Sequence, residues 1–191
     1  MNLARFNPKA LVPKRKLFVS YHSNDRFYRD RFDFLFGHLF VNKSVKYNDI
    51  DSDLSDSYVK RLIREGYLTD SSVCVVLVGP ETYCRKHVDW EISAALSKKV
   101  GGHSGLFGLC LPNHPDYYTD LYYDRPYYHA ETVSPRLLDN LESGYSSLYK
   151  WTEEERVIKD VVEFAFESRI AAADRIMNWR PQFRYNRMPK S

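Results

Sequence analysis

No run of 18 apolar residues occurs in the 191-residue sequence, so no transmembrane helix is expected. The opening stretch MNLARFNPKALVPKRK lacks the apolar core of a secretory signal and is interrupted by Pro8 and Pro13. Cysteine is scarce. Cys74, Cys84 and Cys110 make an odd count without a signal, which argues for reduced thiols and a cytoplasmic setting rather than a disulfide framework. A dominant charge is also missing: the net +3 is too small to imply nucleic acid by itself, and no nucleic-acid partner is expected. Several catalytic signatures are absent as well. Without G-x-G-x-x-G after the first β-like run and without a P-loop, the usual dinucleotide dehydrogenases and nucleotide triphosphatases are disfavoured. G-x-S-x-G and H-E-x-x-H are missing too. Cys84 and His87 have a C-x-x-H spacing, but no second ligand pair accompanies them, so no metal is expected.

What is present reads as one α/β domain. Apolar residues make up 43% and charged residues 28%, enough to bury one core, and the length suits one domain with extensions. Residues 1–15 form a basic leader. Lys16–Tyr21 is the first strand, followed by capping residues His22 to Asp25 and a helix to about Phe40 with Phe32, Leu35, Phe36 and Leu39 on its apolar face. Val45–Ile50 reads as the second strand, Asp51–Asp56 as an acidic loop, and the next helix runs to about Gly66. Ser72–Val78 is a β-branched run that suits a strand covered on both faces, and Gly105–Leu111 reads as a fourth strand. The βαβαβαβ alternation implies a parallel sheet with helices on both faces.

Beyond this core, residues 113–134 carry three Tyr-Tyr pairs, either laid over the surface or forming a binding surface. Ser134-Pro135 opens a short helix to Gly144, and residues 147–151 suit a short edge strand. Thr152-Glu153-Glu154-Glu155 has the form of a capping box before a last helix to about Met177, which carries Val157, Val161 and Phe164 beside Ile158, Val162 and Ala165. The basic residues of the tail, 178–191, alternate with Trp179, Phe183 and Tyr185, and a solvated tail packed by its aromatics is the preferred reading. The single domain therefore spans 16–177, with its core at 16–112.

The stretch GPETYCRKHVDWEISAALSKK, from Gly79 to Lys99, organises the rest. A strand ends at Gly79-Pro80, and Val88, Ile92, Ala95 and Leu96 then form one helical stripe. Glu91 lies about 40° beyond Ala95 at the stripe's border, near the sheet rim where open α/β sheets bind ligands. It suits either a site carboxylate or an ordinary acidic residue favoured by the helix macrodipole. Trp90 points roughly opposite the stripe, exposed or covered by something else; exposed beside Glu91, it would suit an interface anchor. The rim gathers Ser20, Tyr21, His22 and Asn24 from the first strand's end, Asp49 from the second, and Tyr83 and Glu91 beyond the third. Such hydroxyls, amides and one carboxylate could hold ribose hydroxyls, while backbone amides and His22 could meet phosphate.

With F-V-S-Y at the first strand, an acidic loop after the second, V-V-L-V-G-P at the third and then W-E-I-S-A-A-L, the sequence resembles a TIR domain. More narrowly, G-P-E-T-Y followed by V-D-W-E-I-S-A-A-L resembles the bacterial TIR-like group that includes the TIR component of Thoeris anti-phage defence. The resemblance covers about residues 16–112. It implies a five-stranded flavodoxin-like fold with a C-terminal helical extension. It also implies cleavage of NAD as substrate, with no other cofactor, at the nicotinamide–ribose bond by a glutamate at the position of Glu91. The product it implies is a cyclic ADP-ribose isomer, a diffusible nucleotide that activates a separate NAD-consuming effector. It further implies self-association or meeting other TIR domains, and low activity until a phage trigger acts. The sequence departs from the pattern at His87, which stands four residues before the glutamate where many TIR domains have tryptophan. His87 is either a site residue or a surface residue at the helix start. The alternative function is a non-catalytic TIR interaction module.

Overall fold

The structure, a computed structural model, describes residues 14–43, 70–98, 102–119 and 128–188. Five strands form one sheet: β1 (Lys16–Ser20), β2 (Val41–Asn42), β3 (Val73–Val78), β4 (Gly105–Cys110) and β5 (Ser147–Lys150). Their order is β2-β1-β3-β4-β5, and every pairing is parallel. Among the described residues four α-helices cover the sheet: α1 (Arg26–Phe36), α2 (Lys86–Leu96), α3 (Pro135–Glu142) and α4 (Glu155–Ala171). This is the doubly wound, flavodoxin-like α/β fold expected from the alternation of elements.

Strand periodicity sorts the core into two layers. Phe18, Cys74, Val76, Val78, Leu106, Cys110 and Leu148 face α2 and α3, together with Val88, Ile92, Ala95 and Leu96 of the expected α2 stripe. Leu17, Val19, Val73, Val75, Leu77, Phe107 and Leu109 face α1 and α4. Both layers are apolar, and each fully buried Leu, Ile or Val adds about 1.5–3 kcal/mol to folding before entropy is counted. The β3 side chains are all completely or almost completely buried, which explains their unbroken apolar run. Gly105 lets the α4 backbone approach β4, since a Cβ there would collide with the Ala165 carbonyl. Gly144, at φ 75°, turns the chain out of α3 in a conformation that favours glycine.

Several boundaries differ from the sequence reading. Helix α1 stops at Phe36 instead of about Phe40, because the chain turns to bring Val41 beside Lys16 of β1. The described β2 is therefore Val41–Asn42, while the strand expected at 45–50 and the helix after it lie outside the described residues. Ser134 precedes Pro135 as expected, but its hydroxyl makes no capping bond. Thr152 does not cap α4 either. Its hydroxyl accepts from the Glu154 amide at 3.2 Å, two residues on, and the helix starts at Glu155. The inner face of α4 is Ile158, Val161, Val162 and Ala165, whereas Val157 and Phe164 are exposed. After α4 and a short 3-10 turn at Ala173–Arg175, the tail does not leave the domain. It folds back over α2.

Candidate active site

Strand β1 runs to one side into β2 and, across the sheet, lies against β3. The crevice where connections diverge, between the carboxyl ends of β1 and β3, is the switch point of this fold. Ser20 is the last residue of β1. It shares the parity of Phe18, so its side chain faces the α2 layer. Glu91 sits in the second turn of α2, on the side facing β1. The two meet: the Ser20 hydroxyl donates to Glu91 Oε2 at 2.5 Å. Glu91 keeps some exposed surface, but protein surrounds its carboxyl closely. Burial raises its pKa to about 8, and the Ser20 hydrogen bond works in the opposite direction by favouring the ionised form. Without ligand, this carboxyl is largely protonated at neutral pH.

The other expected rim residues are placed unequally. Tyr21 has the opposite parity to Ser20, and its ring packs partly against the α1 layer beneath the Arg29 guanidinium, 5.8 Å from the ring centre. Its hydroxyl is still close enough to feel the Glu91 charge, a minor contribution to a pKa raised mainly by burial. His22 is buried, and its Nδ1 accepts from the Asn24 amide at 3.4 Å. Burial and the nearby Arg85 charge lower its pKa to about 4, so at neutral pH it holds the turn as a neutral ring and offers phosphate no charge. Asn24 is exposed on the 3-10 turn after β1. Tyr83 lies in the turn leading into α2, and His87 lies one turn before Glu91 on the same helix face. The ring of His87 rests against Trp90, with centroids 5.1 Å apart. Asp49 lies outside the described residues.

Asp25, a capping residue by its place in the sequence, also joins three rim loops. It is buried after β1, one oxygen accepts from Asn113 Nδ2 at 2.9 Å beyond β4, and the other has no hydrogen bond. That carboxyl presses on Gly79 at the end of β3, where any side chain would collide with it. Burial raises the Asp25 pKa against the opposing bond from Asn113. The capping pattern at residues 22–25 hinted at a structured turn but carried no sign of these long-range contacts.

Trp90 requires a correction. It is 1% exposed, so it is not a surface anchor. The tail that covers it comes from the end of the chain: the Trp90 indole N–H donates to the Phe183 carbonyl at 2.7 Å. Phe183 is itself buried, so the tail is packed onto the domain by at least one of the aromatics that marked it in the sequence. All three cysteines are buried and none is in a disulfide, and no cluster able to hold a metal occurs among the described residues. The Tyr-rich segment is tied at its two ends: Asp116 takes hydrogen bonds from the His129 amide at 2.9 Å and from the Thr132 hydroxyl at 2.6 Å. Tyr117 and Tyr128 pack against the core and Tyr118 is exposed.

A parallel sheet in this order defines the chain as a flavodoxin-like α/β protein, with the Glu91 carboxyl at its switch point. Residues 18–116 match the family model of the Thoeris protein ThsB, TIR-like domain, and the chain belongs to that family, a defence-related class of TIR proteins. No curated protein matches the sequence. No helix among the described residues is long and apolar enough to cross a membrane.

Proposed function

We propose that this protein cleaves NAD at the nicotinamide–ribose bond and converts it to a cyclic ADP-ribose-type nucleotide, which activates a separate NAD-depleting effector in antiviral defence. The observation that carries this reading is the Glu91 carboxyl, held at the β1/β3 switch point by the Ser20 hydroxyl. The reaction asks for little more than one carboxylate. The bond from C1″ to the pyridinium nitrogen breaks with its electron pair on nitrogen, so nicotinamide leaves neutral without acid catalysis. Positive charge then develops on the ribose, and a nearby anion stabilises it.

The raised pKa of Glu91 fits a substrate-gated anion. Bringing the cationic pyridinium beside the carboxyl favours its ionised form, so binding NAD releases the Glu91 proton. Ser20 aids this step by donating to the carboxylate. A hydroxyl of the same ADP-ribose attacks C1″ and passes its proton to Glu91, which restores the resting acid. Holding that hydroxyl close, with water excluded, selects cyclisation over hydrolysis. Activity stays low until an infection trigger and self-association complete the site. The alternative is a non-catalytic TIR module acting by homotypic assembly through the loop at Asp51–Asp56 and the Glu91 helix; the burial of Trp90 removes the anchor expected for self-association under either reading.

Mass spectrometry of nucleotides from infected and uninfected cells tests the proposal. Infected cells carrying the native chain should accumulate a cyclic ADP-ribose isomer. Glu91→Gln should lower it about a hundredfold or more, as expected when a group that stabilises transition-state charge is removed. Equal product from a folded Glu91→Gln protein would overturn the enzyme reading.

A further inference from the structure

Helix α2 is held from both sides. Its apolar stripe lies on the sheet, and residues 178–187 cross its outer side. Asn178 Nδ2 donates to the Ser93 carbonyl at 3.0 Å. The Phe183 amide donates to Asp89 Oδ2 at 2.8 Å, and the Phe183 carbonyl accepts from Trp90. The Arg187 amide donates to the Cys84 carbonyl at 2.8 Å, just before the helix. At the helix start, Arg85 makes no capping bond through its side chain. Asn186 supplies one from outside, its Oδ1 accepting from the Lys86 amide at 3.0 Å. Arg136, fully buried, locks the crossing: its Nε donates to Asp89 at 2.9 Å, and its Nη atoms donate to Asn178 and to the Arg180 carbonyl at 2.8 Å each.

We infer that residues 178–187 form a positioning strap for Glu91, with Phe183 and Asn186 as the residues that set the roll of α2 and so hold the carboxyl against Ser20. The role assigned to Glu91 rests on the function proposed above; the positioning itself does not. The sheet-facing stripe fixes the depth of α2. The strap grips the opposite side at Asp89 and Trp90, the two residues immediately before Glu91. A roll of about 20° moves the end of a side chain about 2 Å, enough to break the contact with Ser20. The strap lies outside residues 18–116, so the part of the chain that defines the family does not contain everything that shapes the rim.

The test uses the full chain with three substitutions, Phe183→Ala, Asn186→Ala and Asn186→Asp. Carbon-13 NMR follows the titration of the Glu91 carboxyl, assigned by its loss in Glu91→Gln, alongside circular dichroism and nucleotide yield in infected cells. Phe183→Ala should keep the native circular dichroism while the roll opens the Glu91 carboxyl to water; burial is the larger influence on it, so its relief outweighs the lost Ser20 bond and the Glu91 pKa falls from about 8 towards the ordinary glutamate range. Its nucleotide yield should fall about tenfold or more, as for a reacting group displaced by an ångström or so. Asn186→Ala should move both in the same direction, and Asn186→Asp, which keeps the capping acceptor, should restore them. If Phe183→Ala does not fold, the exposed Asn186 pair decides. A folded Phe183→Ala or Asn186→Ala protein with an unchanged Glu91 titration overturns the strap. A titration that shifts in a chain whose native form makes no nucleotide upholds the strap and removes the proposed function instead.

Discussion

Replacing Glu91 with glutamine should change stability in a way that depends on pH, and the sign follows from the site. The Glu91 pKa is raised from 4.5 in the unfolded chain to about 8 in the folded one. Between these values the folded state binds the extra proton, so Glu91's contribution to stability is fully present below the unfolded value and is lost as pH rises through the folded value. Each unit across that window costs at most about 1.4 kcal/mol, and the full window on the order of 5 kcal/mol. The partial exposure of Glu91 reduces this to about 2 kcal/mol once solvent screening is allowed for. Glutamine resembles the protonated acid and does not titrate. Urea unfolding at pH 5, 6, 7 and 8 should find the two proteins within about 1 kcal/mol at pH 5, with Glu91→Gln more stable by about 2 kcal/mol at pH 8. Other titrating groups cancel in the difference. A difference between the two proteins that stays constant across this range would refute the buried, protonated carboxyl, and with it the coupling of NAD binding to proton release.

Ser20→Ala removes the bond that favours the ionised carboxyl, so the Glu91 pKa should rise further and the pH profile of nucleotide formation should move to the alkaline side; an unmoved profile would separate Ser20 from the chemistry. Trp90→Ala should lower stability by about 3–5 kcal/mol, read as a clear fall in melting temperature, because it empties a fully buried site; an unchanged melting temperature would put Trp90 back at the surface. Asp89→Ala leaves Arg136 buried without its carboxylate and should cost about 3–5 kcal/mol in chemical denaturation, with a loss below about 1 kcal/mol contradicting the buried pair.

The elements that meet at the rim were legible in the sequence because each is written in a local period. The run from Val73 to Val78 is apolar without interruption because both faces of β3 are covered, and the stripe from Val88 to Leu96 gave the face of α2. Knowing that face placed Glu91 at its border. Capping was less legible. Thr152 has the right neighbours for a capping box, yet its hydroxyl turns to the amide two residues on, since short side chains can satisfy nearby backbone groups in more than one way.

Tertiary structure decided which of the rim residues meet. Ser20 reaches Glu91 because β1 pairs with β3, a choice that no window of local sequence contains. Tyr21, one residue on, is turned to the other layer by strand parity, once the layer that receives Ser20 is known. Trp90 was placed opposite the apolar stripe by helical period alone, but whether that side met water or protein depended on Phe183, 93 residues later. Local periodicity records the direction a side chain takes from its own element. The partner it finds there is set by long-range packing, in which distant segments compete to cover apolar surface and to satisfy buried polar groups.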